Sequence, residues 1–187
     1  MQAVTNKING IDTDALKETM EQVKADPGRG VAGFHVTTAW QGGTQSETRV
    51  RDWSLGGRRL AKDFTIRIDE PCELLGENTA PNPQEVLMAA LNACMMATYV
   101  AACSMQGIEL EQLEIETRGE LDLRGFLGLD KKVKPGYDAI DYTVRIKGNG
   151  TPRQFEAVHQ WVMATSPNYW NLANPVSLRP KLIVEGR

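Results

Sequence analysis

Cys94 and Cys103 are the residues of this sequence best suited to chemistry, because a cysteine thiolate is a strong nucleophile. Both lie in the segment 82–107, NPQEVLMAALNACMMATYVAACSMQG, which carries no charged side chain after Glu85. The remaining cysteine, Cys72, precedes this segment. By composition the segment could be a membrane span, a buried core helix or the wall of a thiol site.

The segment begins and ends like a helix. Asn82 is a favourable N-cap, Pro83 suits the first helical position, and Glu85 completes a capping box three residues after the cap. Gly107 is a natural residue just past the helix C-terminus. We therefore predict a helix over about residues 83–106.

The two cysteines of this helix point in opposite directions. They are nine residues apart, which at about 100° per residue places them on opposite faces and about 13 Å apart along the axis. A disulfide between them is excluded, because bridged Cα atoms lie within about 7 Å. Cys94 shares its face with small residues (Ala90, Ala97 and Ala101), whereas Cys103 is predicted to be inert core.

Composition excludes several classes of function. The net charge of −3 does not favour binding to nucleic acid. The helix holds few strongly inserting residues and no basic residue lies within 68–117, so no membrane span is expected. The cysteines form no CxxC pair and the two histidines are isolated in sequence, which predicts neither a metal nor a cofactor. With no apolar signal segment at the N-terminus, we expect a cytoplasmic protein.

The other elements must position the cysteine helix. Residues 12–26 show helical periodicity, and we assign residues 1–30 to an N-terminal helical extension. Residues 31–187 then read as three strands, the long helix, two strands, a helix and a last strand in KLIVEG. This order predicts an α+β domain with antiparallel sheets around a central cysteine-bearing helix.

A reactive Cys94 needs a nearby group that stabilises its thiolate. No basic residue is close to it in sequence, so the cation must come from another strand or another chain. The candidates are Arg67 on the third strand and Arg49 or Arg51 on the second. Glu85 could hold such a guanidinium through a bidentate pair, although its simpler role is the capping box.

The segment NPQEVLMAALNAC, together with FTIRIDEP before it and SPNYW…NPVSL near the end, resembles the OsmC/Ohr family (osmotically inducible protein C and organic hydroperoxide resistance protein). The resemblance spans about residues 31–187. It implies an intertwined homodimer with active sites at the subunit interface, and a thiol peroxidase chemistry in which Cys94 attacks an organic hydroperoxide. It further implies an Arg–Glu pair at the thiolate, for which Arg67, Arg51 and Glu85 are the candidates.

Two departures from the family matter for this chemistry. The acidic residue is shifted, since Gln84 stands where one branch of the family has its Glu and Glu85 is one residue further on. The family's second cysteine stands before a proline late in the chain, and Ser166 occupies that position here. A serine cannot resolve a sulfenic acid as a disulfide, so regeneration would require an external thiol reductant or Cys72. The resemblance therefore implies a one-cysteine peroxidase. The alternative is a non-catalytic member that binds a small apolar molecule at the dimer interface.

Overall fold

The computed structural model describes residues 6–186. A short hairpin opens this range, with strands β1 (Lys7–Ile8) and β2 (Ile11–Asp12), and the helix α1 (Thr13–Ala25) follows. The Asp12 side chain caps α1 by accepting a hydrogen bond from the Ala15 N–H. The predicted N-terminal helix is confirmed. The hairpin before it was not predicted, although its turn is Asn9-Gly10, a dipeptide typical of tight hairpins, and both residues have a positive φ.

Four antiparallel strands form the first sheet. They are β3 (Ala32–Phe34), β4 (Thr37–Gly42), β5 (Gln45–Leu55) and β6 (Arg58–Ile68). The long strand β5 pairs with the other three. Three strands were predicted from the sequence in this region. The structure has four, because the first predicted strand is interrupted at residues 35–36 and forms β3 and β4.

The register of this sheet separates an apolar face from a polar one. Thr48 lies opposite Ile66 and Val50 opposite Phe64 on one face. The other face carries Glu47 opposite Arg67. The alternation predicted from the sequence for β6 is therefore confirmed.

The central helix α2 (Pro83–Met105) has the predicted bounds to within one residue. Its capping box is complete, and Gly107 follows with a positive φ of 70°. The helix packs chiefly against α4 (Pro152–Thr165), α5 (Pro167–Ala173) and β7 (Leu110–Arg118). The first sheet is not among its main neighbours within residues 6–186.

The core lies between α2, α4 and the second sheet, in which β7 pairs antiparallel with β8 (Asp141–Gly148). Its fully buried side chains include Met95, Tyr99 and Val158. By length and composition α2 could also cross a membrane, a test that the core helix of a soluble protein passes as well. Only 28% of its most apolar stretch is buried in the single chain, so much of the helix surface is left to be covered.

Two further segments complete the chain. The short helix α3 (Leu123–Phe126) lies in the long connection between β7 and β8. The strand predicted in KLIVEG is wrong for the single chain, because residues 174–186 have no regular secondary structure. The physical reason is that a strand requires a pairing partner, and these residues find none within 6–186. The α+β class, with antiparallel sheets and a central cysteine helix, is confirmed.

Candidate active site

The Cys94 sulfur accepts two hydrogen bonds from a segment far along the chain. The Ser166 hydroxyl donates to Cys94 Sγ at 3.5 Å, and the Asn168 backbone N–H donates at 3.4 Å. Cys94 itself is half-buried, whereas Ser166 is fully buried. The residue that stands at the family's second cysteine position therefore contacts the predicted nucleophile directly.

The junction between α4 and α5 brings these donors to the sulfur. Helix α4 ends at Thr165, and the Ser166 N–H donates to the Val162 carbonyl at 2.8 Å. Pro167 then opens α5 in a new direction, since its fixed φ suits a first helical position. The Asn168 side chain donates to the Ala90 carbonyl at 2.9 Å, one turn before Cys94 on α2. This bond fixes the start of α5 against the cysteine helix.

The other two cysteines lie in different environments. Cys103 is fully buried in the core, and burial raises the pKa of its thiol. Cys72 is exposed at the start of a short 3₁₀ turn, Cys72–Leu74, in the loop before α2. The opposite orientation of Cys94 and Cys103 agrees with the spacing argument.

The candidate arginines are not brought to Cys94 within the single chain. Arg67 lies on the polar face of the first sheet, where its Nε is 3.8 Å from a Glu47 carboxylate oxygen and its side chain is 80% exposed. Arg49 binds the same Glu47 at 2.7 Å. Arg51 is exposed and forms no ion pair with a residue of the described range. Which arginine serves Cys94 therefore stays a prediction.

Glu85 occupies the capping position in this structure. Its Oε2 accepts the Asn82 N–H at 2.8 Å, and its own N–H donates to Asn82 Oδ1 at 2.8 Å. One carboxylate oxygen thus serves the helix start. The second oxygen has no hydrogen bond to residues 6–186, which leaves room for the predicted contact with a guanidinium.

The buried carboxylate of Asp69 holds together the loop that precedes α2. Asp69, only 1% exposed, accepts hydrogen bonds from Thr44, from Thr79 and from the backbone N–H groups of Glu70 and Glu77. The Thr44 hydroxyl first, and then the Thr79 N–H, hold the pKa of Asp69 well below its usual range. Asp69 fixes residues 69–79 just before the Asn82 cap. Apart from the turn residues around Asp69, no sequence pattern predicts this role.

A partly apolar cavity of about 500 Å³, which also has Asp138 in its lining, opens between α2 and α5 on the N-terminal side of Cys94. Leu87 and Leu91 of α2 form one wall, and Tyr169 and Leu172 of α5 form another. Tyr169 directly follows Asn168, so the cavity adjoins the segment that holds the sulfur. Its volume suits a small, mainly apolar molecule.

Sequence reasoning missed one feature of the site and one of the core. Asn168 acts through its backbone N–H, which no side-chain pattern marks. The hydrogen bond between the Tyr99 hydroxyl and His159 Nδ1 joins α2 to α4 in the core, and burial raises the pKa of Tyr99. Among the described residues, no three His, Cys, Asp or Glu side chains form a group that could hold a metal ion.

Comparison with known proteins identifies the fold. The family model of the OsmC-like proteins matches residues 76–181, more than half of the chain. The chain belongs to the OsmC-like family. The resemblance seen in the sequence is thereby confirmed, and the matched range includes α2, Cys94 and Ser166. None of the curated proteins matches the chain.

Solved structures at low sequence identity share this fold where the TM-score exceeds 0.5. An OsmC-like protein from Mycoplasma pneumoniae superposes with a TM-score of 0.59 at 15% identity, covering 75% of this chain and 86% of its own. A putative osmotic stress induced and detoxification response protein from Psychrobacter arcticus has a TM-score of 0.55 at 13% identity, covering 72% and 84%. An OsmC-like hydroperoxide resistance protein from Jannaschia sp. has a TM-score of 0.45 at 15% identity, covering 82% and 93%.

Proposed function

We propose that this OsmC-like chain is a thiol-dependent peroxidase that reduces organic hydroperoxides through Cys94. The observation that carries the proposal is the position of the sulfur. Cys94 is half-buried, and its Sγ accepts hydrogen bonds from Ser166 and Asn168, at the position where the family carries its reactive cysteine. Hydrogen-bond donors favour the thiolate, which is the nucleophilic form.

The proposed reaction has two halves. The Cys94 thiolate attacks the terminal oxygen of the hydroperoxide, the O–O bond breaks, and the alkoxide leaves and takes up a proton as the alcohol. Cys94 becomes a sulfenic acid. An external thiol then attacks this sulfur, water leaves, and a mixed disulfide forms. A second external thiol displaces Cys94 from the mixed disulfide, which regenerates the thiol.

The need for an external reductant follows from the residues around the sulfur. Ser166 Oγ lies 3.5 Å from Cys94 Sγ, but a hydroxyl cannot form a disulfide with it. Cys103 is buried on the opposite side of the same helix. Cys72 in the preceding loop remains the one other intramolecular candidate. A reducing compartment such as the cytoplasm would supply the thiol.

We also propose that the chain works as a homodimer, with the arginine of the reaction, Arg67 or Arg51, supplied across the subunit interface. The apolar face of the first sheet supports the homodimer, because Phe64 and Trp40 are 62% and 76% exposed in the single chain. Side chains of this size are rarely left exposed together unless they form an interface. The uncovered part of α2 supports the same assembly.

The test is consumption of cumene hydroperoxide by the protein in the presence of a dithiol. We expect turnover by the wild type, loss of turnover in Cys94→Ser, and full turnover in Cys103→Ser, which serves as the matched control because its sulfur is buried in the core. Unchanged turnover in Cys94→Ser would show that the chemistry lies elsewhere.

The second candidate function is that of a non-catalytic protein that binds a small apolar molecule. The observation that favours it is the cavity of about 500 Å³, combined with the absence of any Lys, Arg or His bonded to Cys94 among the described residues. Under this alternative, Leu91→Trp would abolish binding of an apolar fluorescent probe. Hydroperoxide would then leave Cys94 unmodified in the folded wild type.

A further inference from the structure

Ser166 stands at the N-cap of α5 and does not cap it. Serine is among the best N-cap residues, because its oxygen accepts a hydrogen bond from the N–H of the second or third helical residue. The Ser166 side chain makes no such bond. Its hydroxyl turns instead to Cys94 Sγ.

The N–H that a capping serine would satisfy also turns to the sulfur. Asn168 is the second residue of α5, and its backbone N–H donates to Cys94 Sγ at 3.4 Å. In an ordinary helix cap, the serine oxygen would accept a hydrogen bond from this N–H. Here the Ser166 hydroxyl and the Asn168 N–H both donate to the same sulfur atom. Pro167 lies between them and has no N–H to compete.

The surrounding bonds hold both donors in place. The Ser166 backbone is fully engaged, with its N–H on the Val162 carbonyl and its carbonyl accepting from Trp170 at 3.0 Å. Its side chain is completely buried, and Cys94 is its hydrogen-bond partner among the described residues. A hydroxyl in this setting cannot turn to water, so losing the sulfur contact would leave it unsatisfied.

We infer that Ser166 is a positioning residue that orients the Cys94 sulfur and stabilises its thiolate, together with the Asn168 N–H. This inference rests on the proposed function for its role in catalysis, although the contact itself does not. Hydrogen bonds to a charged atom are stronger than those to a neutral one, so the pair favours the thiolate over the thiol. Ser166 thus has a role of its own at the position where the family carries a second cysteine.

Alkylation of Cys94 by iodoacetamide, followed residue by residue with peptide mass spectrometry, tests this role. In Ser166→Ala we expect the Cys94 rate near neutral pH to fall about tenfold, the effect of removing one hydrogen bond to a charged group. The pH at which the rate reaches half its maximum should move upward. The exposed Cys72 is the internal reference in the same sample, and its rate should not change.

Thr165→Ala is the matched control, since it removes a hydroxyl one residue earlier that bonds to the Trp161 carbonyl and does not touch Cys94. An unchanged Cys94 rate and pH profile in folded Ser166→Ala, or an equal fall in Thr165→Ala, would overturn the inference. Because alkylation uses no hydroperoxide, this result stands apart from the peroxidase proposal. If hydroperoxide does not oxidise Cys94 but the alkylation rate of Cys94 still depends on Ser166, only the proposed function is refuted.

Ser166→Cys keeps the test decisive if the alanine variant does not fold. Diamide should join the introduced thiol to Cys94, with two thiols oxidised to one disulfide and the diamide reduced to its hydrazine. Non-reducing peptide mapping should find this disulfide in the variant and no disulfide at Cys94 in the wild type. Failure of the folded variant to form it would show that residue 166 does not lie against the sulfur.

Discussion

Substitution of Glu85 separates its two roles, the observed one in the capping box and the predicted one in anchoring an arginine. Glu85→Ala removes the hydrogen bond that the Asn82 N–H donates to Glu85 Oε2 at 2.8 Å. Loss of a helix-capping interaction costs about 1 kcal/mol. For a chain of this length, that corresponds to a decrease of about 2–4 °C in the melting temperature.

Glu85→Gln should restore this stability, because glutamine fills the same position of a capping box. It should still lose peroxidase turnover if the carboxylate holds a guanidinium, since an amide cannot form the bidentate ion pair. Gln84→Ala, at the exposed neighbouring position, is the matched control and should change neither quantity.

Thermal unfolding followed by circular dichroism, at one fixed protein concentration, measures the melting temperature, and hydroperoxide consumption measures the turnover. A melting temperature of Glu85→Ala equal to that of the wild type would refute the capping argument. Full turnover in Glu85→Gln would refute the arginine-anchoring role and leave Glu85 as a cap alone.

Three other predictions concern the loop, the interface and the core. The pKa of Asp69 is lower in the folded protein than in the unfolded chain, so its carboxylate stabilises the fold above about pH 4 and this contribution is lost as the pH falls. The free energy of unfolding, measured with urea between about pH 3 and pH 7, should therefore depend less on pH in Asp69→Asn than in the wild type. Asp63→Asn, at an exposed position, is the control and should keep the wild-type pH dependence. Phe64→Glu should convert a dimer to a monomer in size-exclusion chromatography with light scattering, whereas Thr65→Glu on the opposite face should not; a monomeric wild type would contradict the proposed assembly. Val158→Ala, at a fully buried core position, should lower the free energy of unfolding by about 2 kcal/mol, and a value near zero would mean that the core repacks.

The cysteine helix was predictable because its signals are local. Asn82, Pro83 and Glu85 mark the start within four residues, and Gly107 marks the end. The contact between Ser166 and Cys94 joins residues far apart in sequence, so neither spacing nor periodicity could predict it. The family resemblance pointed to position 166, and the geometry agrees with it.

The features that escaped prediction depend on backbone geometry or on pairing partners. The Asn168 N–H reaches the sulfur because Pro167 redirects the chain at the α4–α5 junction. The apolar pattern of KLIVEG is typical of a strand, yet pairing requires an edge that the single chain does not offer to residues 181–186. Sequence periodicity indicates which face of a segment is apolar, and it does not indicate what covers that face.

Cys94 is proposed as the residue that hydroperoxide oxidises, and intact-mass analysis of the treated protein detects this oxidation. The protein is treated with one equivalent of cumene hydroperoxide in the presence of dimedone, which captures a sulfenic acid. We predict a single dimedone adduct on the wild type, located at Cys94 by peptide mapping and absent in Cys94→Ser. A folded wild-type protein that consumes no hydroperoxide and carries no adduct at Cys94 would show that Cys94 is not a peroxidase nucleophile.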